Sequence, residues 1–299
     1  MAPMTRINPF KQVVAYRYGT KLETVTATGN PIPVKKLNAD EYMDSNGNIK
    51  KFKKSETRAD GISSVGKTLK RLRRLISANF NGGSSELWVT LTYAENVTDT
   101  SVVYQDFKNF MKKLRRKYAK NRSLEYINVL EPQRRGAWHM HLLIKSDDGS
   151  HLRVENDDMR RLWGKGFVKV KRLRDTDNVS AYLMAYLTDI ELKEGETGSE
   201  HVKVKEGKRY EKGGRLHMYP SGMNFYRCSK GIEQPKKHKG TKEQIYKNMG
   251  YDLDDIPDPF YYKRLTMDIG GSARHYEFEI VQCLERGDKD ESDGNKTGK

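Results

Sequence analysis

The sequence predicts an α+β fold: an antiparallel sheet with its helices on one side. Three observations lead there. Residues 128–145, NVLEPQRRGAWHMHLLIK, hold two apolar runs around a polar, glycine-containing connection, the pattern of a hairpin. Residues 87–93, LWVTLTY, are rich in β-branched and aromatic side chains and predict a strand. Around these strands, apolar residues recur every three or four positions, the period of helices with one buried face.

In chain order, residues 12–26 alternate apolar and polar (Val14, Tyr16, Tyr18, Leu22, Val25), a strand or hairpin broken by Gly29-Asn30-Pro31. Residues 44–48, DSNGN, form a turn before the basic run KKFKK at 50–54. Residues 61–68, GISSVGKT, match the phosphate-loop pattern GxxxxGK[ST]. Such a loop follows a buried strand, and FKKSETRAD at 52–60 is not one. A helix to about residue 78 fits better, with Ser63 or Ser64 as cap. Val65, Leu69, Leu72 and Ile76 make its apolar stripe, packed on the domain that follows, and Lys67, Lys70, Arg71, Arg73 and Arg74 face outward.

A loop at 81–85 leads into the 87–93 strand. Thr100-Ser101 caps a helix over 102–118, whose apolar face is Val103, Phe107, Phe110, Met111 and Leu114. Cations crowd its end, where the helix dipole favours them. The hairpin follows, then a helix over 154–163, a strand over 166–170 and a helix over 181–192. The order strand, helix, strand, strand, helix, strand, helix predicts a ferredoxin-like sheet. Lys165-Gly166-Phe167-Val168 resembles the aromatic strand of RNA-recognition modules, but the rest of that pattern is absent. Residues 194–214 are rich in Glu, Lys and Gly and read as a mobile insertion. Segments 216–220 and 224–230 return to ordered structure, 235–242 is basic and solvated, 276–284 is a final strand, and 286–299 is a disordered tail. The expected domains are a basic N-terminal extension (1–85), a core (86–193), a partly β C-terminal extension (194–285) and the tail (286–299).

The chain carries 56 Lys and Arg against 40 Asp and Glu, a formal charge of +16. That excess implies a polyanionic partner. Nucleic acid fits better than a membrane, because the cations are spread along the chain and no apolar run has membrane-spanning length. Met1 to Phe10 lacks the apolar stretch of a signal peptide. Cys228 and Cys283 match no metal-ligand spacing, so two free thiols in a reducing, intracellular setting are expected.

The chemistry concentrates in the hairpin. His139 and His141 lie two apart on one strand, so both imidazoles share a face. Glu131 ends the preceding strand. If it pairs opposite His139, the carboxylate joins them, and two imidazoles with one carboxylate can hold a divalent ion. Paired histidines in a strand also fit a purely structural role. In the last helix Tyr182 and Tyr186 are four apart and share a face. Aromatics so spaced commonly pack on a sheet, and a phenol beside a metal can also attack phosphorus.

Taken together and in this order, three motifs resemble those of the HUH endonuclease superfamily and its rolling-circle replication initiators of plasmids and small phages. Residues 88–93, WVTLTY, resemble the first. His139-Met140-His141 resembles the His–hydrophobic–His motif, with Glu131 as third ligand. Tyr182-Leu183-Met184-Ala185-Tyr186 resembles the two-tyrosine catalytic motif. The resemblance covers about residues 86–192. It implies Mg²⁺ or Mn²⁺ held by Glu131, His139 and His141. Tyr182 is the expected first nucleophile, left joined to the DNA 5′ end, with a free 3′ hydroxyl as primer; Tyr186 then resolves the product. One departure stands out: the family often has Lys before the second tyrosine, and here that residue is Ala185. Lys193, Lys171 and Arg172 are candidate substitutes.

The expected partners are single-stranded origin DNA and a host DNA polymerase and helicase, with no membrane, in the cytoplasm of a bacterial host. The expected DNA contacts are Thr90, Thr92, Arg134, Arg135, Trp138, Lys171, Arg227 and Lys230. Rival readings are a relaxase or single-strand transposase of the same superfamily, or a noncatalytic DNA- or RNA-binding protein on the same scaffold.

Overall fold

Alternating side chains and tight turns build most of this chain into antiparallel sheets. A computed structural model describes residues 6–29, 35–44, 46–52, 55–174, 187–192, 202–205, 208–269 and 272–283. Tyr182, Ala185, Tyr186, Lys193 and the tail at 286–299, all singled out above, lie outside the described residues. The chain divides into two compact units, one of residues 1–53 with 235–299 and one of residues 54–234.

In the first unit the 12–26 alternation resolves into a hairpin, β1 (Gln12–Tyr18) and β2 (Lys21–Thr28). Gly19 takes the positive φ of 52° that the turn demands. Short strands β3 (Lys35–Lys36), β4 (Glu41–Met43) and β5 (Ile49–Lys51) form a separate small sheet.

The second unit opens with α1 (Ile62–Asn79), followed by β6 (Glu86–Leu91), α2 (Thr100–Tyr118), β7 (Leu124–Pro132), β8 (Trp138–Ser146), α3 (Asn156–Trp163) and β9 (Val168–Arg172). Strands β10 (Ile190–Leu192), β11 (Val202–Lys205) and β12 (Lys208–Glu211) make a three-stranded sheet, so the segment read as a mobile insertion contributes strands. Strand β13 (Tyr226–Cys228) closes the unit. The chain then returns to the first unit with β14 (Lys236–Thr241), α4 (Lys242–Asn248), β15 (Tyr261–Ile269) and β16 (Ser272–Gln282). The solvated basic segment is thus an edge strand in the order β14-β1-β2-β16-β15. Cys228 and Cys283 are both free thiols.

The phosphate-loop match at 61–68 does not form a loop. Gly66, Lys67 and Thr68 lie inside α1, and the Thr68 hydroxyl donates back to the Ser64 carbonyl at 2.9 Å. Neither expected serine is the cap: Gly61 holds that position, without a side-chain hydrogen bond. Val65, Leu72, Leu75 and Ile76 bury in the same core as the sheet strands, and Leu69 packs against it. In α2, the expected five apolar residues are the buried ones. Asp99, rather than Thr100 or Ser101, is its cap, accepting from the Ser101 amide at 2.7 Å. Burying each such apolar side chain contributes about 1.5–3 kcal/mol.

The main sheet runs β13-β7-β8-β6-β9, all neighbours antiparallel. Its register sorts the side chains into two faces. Met140, Leu142 and Ile144 of β8 share one face with Leu87, Val89 and Leu91 of β6. There α2 and α3 pack, with Phe107 against Tyr126 (5.1 Å) and Phe110 against Trp163 (5.8 Å). The other face carries His139, His141, Leu143 and Lys145. Helix α1 covers its far end, where Lys145 donates to Asn79 (3.3 Å) and lies over the Phe80 ring. The described helices therefore occupy both sides of this sheet. The expectation of helices on one side holds for α2 and α3 and fails for α1, because α1 carries its own apolar stripe, which only the second face could bury.

Candidate metal and nucleic-acid site

The site grows from the β7–β8 hairpin. Gly136, at φ 89°, allows the turn, and the Gln133 amide donates to the Ala137 carbonyl at 2.8 Å to close it. The resulting register sets Glu131 opposite His139, as the sequence implied, and Val129 opposite His141. The carboxylate, however, reaches diagonally: Glu131 Oε2 and His141 Nε2 are 2.5 Å apart. The other oxygen, Oε1, meets Arg215 Nη1 at 2.6 Å. Glu131 and His141 are buried, and His139 is half-buried. Thr90, paired with His141 across the β6–β8 ladder, brings Oγ1 to 3.5 Å from His141 Nδ1. The Trp88 ring meets His141 edge-on, at 6.5 Å between centroids.

Burial is the main force on His139. It depresses the imidazole to about 4, against the opposing pull of the Glu131 carboxylate, so the ring is neutral at neutral pH. A neutral imidazole is a metal ligand. The donor set therefore fits a divalent ion in type and in face: two imidazoles and a carboxylate on adjacent strands. In the arrangement described, Glu131 is engaged by Arg215 and His141. Among the described residues no group of three or more His, Cys, Asp and Glu stands together as a metal-holding cluster. Binding an ion here means exchanging the Arg215 contact for it.

Arg215 had no signal in the sequence. It reaches the site from a turn, donating to the Pro132 carbonyl through Nη1 and to the Asp189 carbonyl through Nε, both at 2.6 Å, while its amide bonds the Thr188 carbonyl at 2.9 Å. It ties the segment after the tyrosine motif to the end of β7.

These groups line a cavity of about 610 Å³, with Trp88, Thr90, Gln133, Arg134, Lys169, Lys171, Glu191 and Leu192 completing the wall. The size suits a small-molecule-sized moiety. Of the expected DNA contacts, Thr90, Arg134 and Lys171 are at this cavity, and Arg134 also donates to the Glu191 carbonyl. Thr92 lies just beyond β6 and donates to the Phe167 carbonyl. Arg135 turns away to the Tyr93 carbonyl at 2.9 Å.

Trp138 is not brought to the cavity. It is 3% exposed, on the face opposite the histidines, with its indole donating to the Thr98 carbonyl at 2.8 Å. A strand places successive side chains on opposite faces, so the neighbour of His139 had to point into the core. Arg227 likewise faces α2, over the Tyr104 ring, and Lys230 is exposed outside the cavity wall. Lys169 was missed. Its period-two spacing from Lys171 on β9 was the available signal, obscured because the strand begins at Val168 rather than at residue 166.

Tyr219, also buried, hydrogen-bonds the Leu130 carbonyl at 2.9 Å. Burial raises its phenol far above the ordinary range and keeps it protonated, which excludes it as a nucleophile.

Among the described residues no helix is long and apolar enough to cross a membrane. The profile of a family of replication-associated proteins, the ORF2 type, matches residues 86–191, about a third of the chain. No curated protein and no solved structure matches the chain significantly. Over the matched span, which includes β6 to β9, Glu131, both histidines and both tyrosines of the motif, the chain is similar to replication-associated proteins. This is consistent with a rolling-circle replication protein and with a role in replication initiation.

Proposed function

We propose that this chain initiates rolling-circle DNA replication by nicking and rejoining single-stranded origin DNA, on a ferredoxin-like core of the HUH type. One observation carries the reading: Glu131, His139 and His141 converge on one face of a hairpin, at a cation-lined cavity, inside the span that resembles replication-associated proteins. The βαββαβ order from β6 to β9, with sheet order β7-β8-β6-β9, supports the core assignment.

Glu131, His139 and His141 would hold Mg²⁺ or Mn²⁺, which when bound polarises and neutralises the scissile phosphate. The chain's own residues do the rest. Lys169, Lys171 and Arg134 draw the phosphodiester into the cavity. The Tyr182 oxygen attacks phosphorus and bonds to the 5′ side, the P–O bond to the 3′ oxygen breaks, and the phenolic proton ends on that oxygen as a 3′ hydroxyl. Tyr186 reverses the exchange on the regenerated junction. Lys171, at the cavity wall, is the described candidate for the cation absent at Ala185. The free 3′ end would serve a host polymerase, with unwinding by a separate helicase.

The engagement of Glu131 by Arg215 favours a rival: a nucleic-acid-binding protein that keeps the scaffold without the chemistry. Incubation with single-stranded origin DNA and Mn²⁺ separates the two. The proposal expects a covalent protein–DNA adduct, lost with chelator and in Tyr182→Phe/Tyr186→Phe. Binding to a verified origin without any adduct would establish the rival.

A further inference from the structure

Outside the cavity, the edge strand β9 shows an arrangement that the nicking chemistry leaves unused. Its side chains alternate: Val168 is buried, whereas Lys169 and Lys171 are exposed and line the cavity. Register places both lysines on the histidine face, opposite Thr90 and Trp88. Among the described residues neither lysine has an ion-pair partner. Phe167, one step before the strand, continues the same alternation and is 65% exposed.

A single exposed apolar side chain is ordinary on a protein surface. Phe167 differs because the backbone holds it out beside the lysines. Its carbonyl accepts from both the amide and the hydroxyl of Thr92, each at 3.0 Å. The Ala94 amide donates to the Lys165 carbonyl at 2.9 Å. Gly166 lies so close to the end of β6 that a Cβ would stand 2.6 Å from the Thr92 carbonyl oxygen and the Ala94 nitrogen. The segment is clamped, and Phe167 is presented rather than left loose.

We infer that Phe167, Lys169 and Lys171 form a track for one DNA strand, leading from the cavity out along β9. Phe167 stacks a base and the two lysines neutralise phosphates. The residue pattern is that of single-strand binding: a planar apolar ring for any base, and cations spaced along the backbone. A duplex would bury its bases away from the ring. This track rests on the proposed function for the identity of the strand, and its test does not depend on cleavage.

The test is fluorescence anisotropy of a labelled 20-mer of thymidylate with the full chain in EDTA, across a salt series. Phe167→Ala should weaken binding about tenfold, within the range for one stacked base, without changing the salt slope. Phe167→Trp should restore it. Lys169→Ala/Lys171→Ala should lower the slope of log affinity against log salt by about 1.4, since each phosphate contact on a single strand contributes roughly 0.7. Unchanged affinity in Phe167→Ala, or an unchanged slope in the double variant, overturns the track. If these effects appear but no adduct forms with origin DNA, the track stands and the nicking proposal falls. An adduct with unaltered binding in the variants leaves the nicking proposal standing and overturns the track.

Discussion

Each unit buries a carboxylate against a cation, and the two pairs differ in what surrounds them. In the first unit Lys242 and Glu279 are 1% and 0% exposed and 2.6 Å apart. Their remaining capacity is taken up by the chain itself: the Ile7 amide donates to Glu279 at 2.9 Å, and Lys242 donates to the Ile7 carbonyl at 3.0 Å. The pair sits in a core with Val13, Leu22, Ile245 and Val281 close by. In the second unit Glu131 is also buried and paired, to His141 and Arg215, but it forms part of a cavity wall. Beside it stand Lys169 and Lys171, which have no ion-pair partner among the described residues. Buried charge alone therefore does not mark a functional site. The cavity and the excess of one sign do.

The comparison breaks first at the sealed pair. Lys242→Met leaves the Glu279 carboxylate buried without its cation, and should cost about 3–5 kcal/mol. The loss would appear as a lower urea midpoint in the transition that reports on the first unit. Adding Glu279→Leu should recover part of it. A small effect in the single variant would show that water reaches the pair.

The open pair should behave otherwise. Glu131→Gln keeps the shape and removes the charge. Adduct formation with Mn²⁺ should fall by at least about a hundredfold, since losing a ligand exceeds the roughly 10–100-fold of losing an outer-shell partner. Retained activity would make Glu131 structural, like Glu279.

Trp138→Phe tests the two faces of the sheet. Losing the indole bond to Thr98 should lower stability by about 1 kcal/mol, read by chemical denaturation, with thymidylate binding unchanged. Weakened binding at native stability would return Trp138 to the DNA contacts.

The smallest effect concerns a surface pair. Lys117 above all, then the Tyr118 hydroxyl, hold Asp158 well below the ordinary carboxylate range. A carboxyl depressed in the folded state contributes stability above its unfolded value, near 4, and loses it as pH falls through the folded value. Asp158→Asn should flatten melting temperature against pH below about pH 4 and leave it unchanged near neutrality.

Much of this was legible in the sequence. The α2 face, the β7–β8 hairpin and the pairing of Glu131 with His139 follow from local periodicity and one turn. Those rules act over a few residues, and neighbours along the chain suffice to read them. Residue-type patterns are weaker guides, as α1 shows. GISSVGKT satisfies the phosphate-loop pattern, while the apolar stripe from Val65 to Ile76 determined the conformation by burying itself. Nor could composition separate the Glu- and Lys-rich segment after the tyrosine motif from a structureless loop, because its strands β11 and β12 are stabilised by pairing with each other and, through β12, with β10.

What the sequence determined by itself is the donor set: two imidazoles on one face and a carboxylate one strand away, because strand alternation and hairpin register are local geometry. Tertiary structure alone decided which cations meet it. Arg215 is remote from Glu131 in the chain and arrives through contacts to Pro132 and Asp189. Lys169 and Lys171 face the histidines because β9 pairs with β6, which in turn pairs with β8. Long-range pairing is selected by what the whole sheet can bury on its other face, and no window of sequence contains that sum.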